Sequence, residues 1–125
     1  MIVLNYAHPL SADQLAQVAL ALGAMPEVRV ITAHADRQRP LADVAAELAD
    51  AAQLTADEWQ TLPLVVNPPA LAPLALALLA EVHGRSGHFL PILNIRPVAD
   101  ALPPRYELGE ITNLQTIREA ARTRR

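Results

Sequence analysis

The sequence predicts an α/β domain built on a mainly parallel sheet with helices on both faces. Three observations carry that expectation. Several short runs are wholly apolar, with none of the polar alternation of a half-exposed strand, which suits strands buried on both faces. Each run ends in a polar or proline-bearing cluster and leads into a segment with helical spacing. Apolar residues make up 52% of the chain and aromatic residues only 3%, so the core must be assembled from Leu, Val, Ile and Ala. A length of 125 residues is that of one domain with a sizeable core.

The first strand is Met1-Ile2-Val3-Leu4, closed by Asn5-Tyr6-Ala7-His8-Pro9-Leu10. Ser11-Ala12-Asp13-Gln14 then has the form of a capping box, in which hydroxyl and amide each satisfy a backbone N–H left free by the first helical turn. Leu15, Val18, Ala19 and Leu22 line one side of that helix, and Gly23 suits its end. A second strand over 28–31 runs into Thr32-Ala33-His34-Ala35-Asp36. Pro40 opens a helix with Leu41, Val44, Ala45, Leu48 and Ala52 on one face, and Thr55-Ala56-Asp57-Glu58 is a second capping box, opening a short helix that carries Trp59.

A third strand is expected over 62–66, ending at Asn67-Pro68-Pro69. The helix over 70–82 carries Pro73 near its first turn and is apolar nearly all round, which points to a subunit interface. His83-Gly84-Arg85-Ser86-Gly87 is expected to break it. A fourth strand over 89–93 ends in Asn94-Ile95-Arg96-Pro97, although Pro63 and Pro91 sit awkwardly in strand interiors. After a proline-rich loop, residues 106–111 suit a short edge strand, and Thr112 or Asn113 caps a final helix bearing Leu114, Ile117 and Ala121. Alternating strand and helix with right-handed crossovers is a Rossmann-like, three-layer arrangement.

Composition narrows the chemistry. Without cysteine there is neither a disulfide scaffold nor a thiolate metal site, which fits a reducing cytoplasm. No run reaches the roughly 20 apolar residues of a membrane helix, so a cytoplasmic protein without membrane contact is expected. A net charge of −3 argues against general binding of duplex nucleic acid, yet all ten basic residues are Arg, which can grip phosphate bidentately. With only four glycines, no phosphate-cradling loop is present, and neither a dinucleotide cofactor nor ATP hydrolysis is expected. His83 and His88 lack carboxylate or Cys neighbours, so no metal site is assigned.

Three expected strands end alike, at Asn5, Asn67 and Asn94, with a proline soon after each. All carboxyl ends of a parallel sheet lie along one edge, so Asn5, Tyr6, His8, Ser11, Thr32, His34, Asn67, Asn94 and Arg96 are expected on one rim. Amides can read base edges or ribose hydroxyls, Arg96 can hold phosphate, and helix N-termini add donors, so the rim suits a nucleotide. Each residue taken singly also fits a plain turn role.

The run Ile2-Val3-Leu4-Asn5-Tyr6-Ala7-His8-Pro9-Leu10 before a capped helix, with the later Arg105-Tyr106-Glu107-Leu108 and Glu110-Ile111-Thr112-Asn113-Leu114, resembles the small ancillary Csx-type proteins encoded beside type III CRISPR antiviral systems. The resemblance implies a homodimer related to CRISPR-associated Rossmann-fold sensor domains that bind cyclic oligoadenylate, most often the four-adenylate ring. It implies sensing, sequestration, or cleavage as a metal-independent ring nuclease. A two-fold dimer matches the symmetry of such a ring. Arg96 would then face phosphate, the asparagines and Tyr6 would meet ribose and adenine, and His8 is the candidate general acid or base for attack by a ribose 2′-hydroxyl. No second titratable group pairs with His8 in the sequence, which favours sequestration over cleavage. The apolar helix and Arg-bearing tail leave a third reading open, a module that docks on another protein.

Overall fold

The computed structural model describes residues 1–34 and 38–125, so Ala35 and Asp36, the last residues of the stretch expected to follow the second strand, lie outside the described residues. Five strands form a single sheet in the order β2-β1-β3-β4-β5. They are β1 (Ile2–Asn5), β2 (Glu27–Val30), β3 (Leu64–Asn67), β4 (Ile92–Pro97) and β5 (Tyr106–Thr112). The first four run parallel and β5 is antiparallel to β4.

The helices are α1 (Ala12–Leu22), α2 (Leu41–Asp50), α3 (Ala56–Thr61), α4 (Ala72–Ser86) and α5 (Leu114–Arg122). Both capping boxes form as the sequence predicts, at Ser11/Gln14 and Thr55/Glu58. The Glu58 carboxyl sits below its ordinary range because the Thr55 backbone N–H binds it. Asn113 caps α5 through the Thr116 N–H.

Alternate residues of the central strands supply two separate cores. On one face Val3, Val65 and Leu93 pack with Val18 of α1, flanked by Leu10 and Leu22. On the other, Leu4, Leu64 and Val66 meet Val44 and Leu48 of α2, Trp59 of α3, and Leu74, Leu78 and Val82 of α4. The β1 residues Val3 and Leu4 are fully buried, one on each side, as a run without polar alternation requires.

Several boundaries differ from the sequence expectation. Pro63 and Pro91 stand just ahead of β3 and β4, where each gives its carbonyl to the sheet, to the Ile2 and Val66 N–H groups at 3.0 and 2.9 Å. A proline there removes no ladder donor. Helix α4 does not break at His83-Gly84; it runs through both to Ser86 and ends at Gly87, whose φ of 83° is the left-handed conformation of a C-cap glycine. Arg85 holds this last turn in place, bonding Glu81 one turn back at 3.0 Å and Asp50 of α2 at 2.8 Å.

The largest correction concerns β4. Asn94 and Arg96 are inside this strand and not in a loop beyond it. β4 meets β3 at one position, Val66 opposite Ile92, where β3 is a single residue from its end. Most of β4 therefore rises past the carboxyl edge of β1 and β3, and pairs there with β5 as a hairpin. Residue Gly109 is the extra residue of a bulge, since Asn94 faces Glu110 while Ile95 faces Leu108.

Candidate functional site

The chain leaves β1 by way of α1 on one face and enters β3 from α3 on the other. The carboxyl ends of β1 and β3 are thus the topological switch point of the sheet, where α/β folds open a crevice for ligands. Asn5 and Asn67 lie side by side there, in register, and both are buried.

Their side chains are occupied with one another and with the loop. Asn67 Nδ2 donates to Asn5 Oδ1 at 2.9 Å, the Ala7 N–H donates to the same oxygen at 3.0 Å, and Asn5 Nδ2 donates to the His8 carbonyl at 3.1 Å. Asn5 shapes the loop over 6–9 as an Asx turn would and ties it to β3. Of the two, Asn67 lines a cavity.

Tyr6 belongs to the core. It is 2% exposed, and its hydroxyl donates to the Leu48 carbonyl of α2 at 3.0 Å. Burial pushes its phenol well above the ordinary value of 10.0, a shift that the Arg85 charge partly opposes. Tyr6 does not line the main cleft above the switch point and borders only the smaller hollow on the other side of the loop.

Above the switch point lies an open cleft of about 710 Å³. One wall is the loop and first turn of α1, with His8, Ser11 and Gln14; the opposite wall is the hairpin, with Asn94, Tyr106 and Thr112. Leu10, Pro68, Ile92 and Ile95 add apolar lining. The walls are fixed to each other: Gln14 Nε2 donates to the Tyr106 carbonyl at 3.1 Å, and the Leu108 N–H donates to Gln17 Oε1 at 2.8 Å.

The structure brings His8, Ser11, Asn67 and Asn94 together in this cleft. Thr32 lines a smaller hollow of about 360 Å³ beyond the same loop, and Ala7, His8, Pro9 and Ala70 line both hollows. His34 is exposed, four residues beyond the end of β2. Arg96 lies on the outer hairpin, exposed, its Nε 3.5 Å from Glu107. A Cβ on Gly109 would come within 2.9 Å of Arg96 Cδ, so the glycine gives the guanidinium stem room to lie across the hairpin.

Sequence reasoning missed Tyr106, Thr112 and Gln14. Gln14 is visible in the sequence as the capping residue, and Tyr106 as the start of the last strand and a member of the Arg105-Tyr106-Glu107-Leu108 run, with nothing in either that marks it as a site residue. Among the described residues no cluster of three His, Cys, Asp or Glu stands ready for a metal ion, and no described helix is long and apolar enough to cross a membrane. Comparison with protein-family models, curated proteins and solved structures returns no match.

Proposed function

We propose that the chain binds a cyclic oligoadenylate, with cyclic tetra-adenylate the first candidate, and lowers its free level by sequestration. The observation that carries this reading is the cleft at the switch point, lined by apolar residues together with amide, imidazole, hydroxyl and phenol-bearing ones. A volume of about 710 Å³ lies within the usual range of small-molecule sites but suits only part of a four-nucleotide ring. Two clefts related by a two-fold axis divide such a ring evenly, so the proposed ligand asks for a Rossmann-like homodimer. Ring identity is what the resemblance to Csx-type proteins nominates.

Binding is favoured over ring cleavage because His8 is the one imidazole lining the cleft, with no carboxylate or guanidinium lining it alongside. In-line attack by a 2′-hydroxyl needs a proton acceptor and stabilisation of the developing charge, and His8 alone supplies one of these at a time. Titration of purified protein with labelled cyclic tetra-adenylate tests the reading. A shift at submicromolar protein, with ligand recovered intact after an hour, supports sequestration; recovery of linear product makes the protein a ring nuclease with His8 as its candidate catalytic group. Asn94→Ala and His8→Ala are each expected to weaken binding about tenfold, roughly 1.4 kcal/mol.

A second reading has its own observation. Leu76 on α4 is 68% exposed beside an apolar groove shared with Leu114, and α5 buries no residue. Absence of ring binding at tens of micromolar protein leaves this face as the functional one, in a protein-docking module.

A further inference from the structure

We infer that the cleft takes the uncharged part of its ligand, a nucleobase with its ribose, and that Tyr106 is the stacking platform for the base. The inference rests on the reading that the cleft is the ligand site, and it assigns to Tyr106 the contact that the sequence assigned to Tyr6.

The first support is charge. None of the residues lining the cleft is Asp, Glu or Arg. Asp13 stands in the first turn of α1, where a carboxylate already answers the partial positive charge of the helix end. The Ser11 and Gln14 side chains are likewise engaged with that turn. Arg96, the cation on the neighbouring strand, is drawn toward Glu107. A phosphate placed deep in this cleft would lose water without gaining a full positive charge, which a binding site cannot sustain. Neutral planar groups have no such cost.

The second support is shape and chemistry. Tyr106 is 58% exposed and lines the cleft opposite the loop bearing His8. Its backbone carbonyl accepts from Gln14 Nε2, which fixes the point on the cleft wall from which the ring projects. Aromatic rings stack on any base, and the amides of Asn67 and Asn94 offer both donor and acceptor to base edges or ribose hydroxyls. With the base in the cleft, the phosphates point outward, toward solvent and the hairpin that carries Arg96.

Calorimetric titration with adenosine, which has no charge, and in parallel with cyclic tetra-adenylate, tests this. Adenosine is expected to bind, with an affinity that changes less than about twofold between roughly 50 and 300 mM NaCl, because no phosphate contact is involved. Tyr106→Ala is expected to weaken both ligands about tenfold or more, while Tyr106→Phe, which keeps the ring, holds within about twofold. Thermal melts of the variants show whether they are folded. Equal adenosine affinity in wild type and Tyr106→Ala, or no adenosine binding beside tight, steeply salt-dependent binding of the ring, overturns the base subsite and leaves the messenger reading standing. Adenosine binding that depends on Tyr106, without any affinity for the ring, keeps the subsite and removes the messenger reading. If neither ligand binds, both fall.

Discussion

Asn5 and Asn94 each follow an apolar run and precede a proline, and they end in opposite situations. Asn5 is buried at the switch point with both ends of its amide engaged, whereas Asn94 stands exposed on a hairpin that overhangs the sheet. The difference lies in their neighbours. β1 is flanked by β2 and β3 along its whole length, so the group that ends it must satisfy its polar atoms inside the protein. β4 leaves β3 after one paired position, and beyond that point Leu93 and Ile95 still turn into the core while Asn94 and Arg96 are exposed. One half of the rim is framework and the other is free to recognise something.

Substitution of the two asparagines should separate these roles most sharply. Asn5→Ala removes an acceptor from both Asn67 and Ala7 and a donor from the His8 carbonyl, and unmet buried polar groups cost about 1–3 kcal/mol each. A loss of about 3 kcal/mol in urea denaturation is expected, and Asn94→Ala should stay within about 0.5 kcal/mol. Equal effects from the two would erase the distinction between framework and free rim.

The two tyrosines extend the contrast. Tyr6→Phe removes a buried hydrogen bond to the Leu48 carbonyl, and a loss of about 1.5 kcal/mol is expected at neutral pH. Because the Tyr6 phenol is raised above its ordinary value of 10.0 in the folded protein, it stays protonated while the unfolded chain ionises. Its contribution is complete below pH 10 and declines above it, by up to about 1.4 kcal/mol per pH unit. Stability curves from pH 9 to 11.5 should show this decline in the wild type and a shallower one in Tyr6→Phe. Identical slopes would place Tyr6 in water. Tyr106→Phe removes no buried hydrogen bond and should leave stability at neutral pH within about 0.5 kcal/mol.

Much of this arrangement is legible in the chain. β1 reads directly from four apolar residues, and α1 and α3 from capping boxes whose two side chains are local. What is not legible depends on remote partners. The 92–97 segment alternates, with Leu93 buried, Asn94 exposed, Ile95 half-buried and Arg96 exposed, which is the pattern of a two-stranded ribbon and not of a strand buried on both faces. Its strand character comes from β5, far along the sequence. The end of α4 is a similar case: Gly84 looks like a stop, but Arg85 gains Asp50 and the Ala46 carbonyl on α2, contacts that sequence spacing does not show. Of the candidate site, the convergence of His8, Ser11 and Asn67 follows from sheet direction, while Asn94 and Tyr106 enter only because the β4–β5 ribbon rises past the sheet edge and folds back over α1.

The smallest effect sharpens the comparison within the hairpin itself. Arg96→Ala removes an exposed pair at 3.5 Å and is expected to cost under about 0.5 kcal/mol. Gly109→Ala inserts a Cβ at 2.9 Å from Arg96 Cδ and 3.2 Å from the Asn94 carbonyl, for which a cost of about 1 kcal/mol is expected. Arg96 has a flexible stem and can swing away, whereas the Asn94 carbonyl is backbone. In the double variant the Arg96 conflict is gone and only the carbonyl contact is left, so the combined loss should be smaller than the sum of the two single losses. Strict additivity in denaturant unfolding would mean that the stem does not lie over Gly109. The Arg96 charge would then be free to turn toward the cleft, and the free half of the rim would be cationic after all.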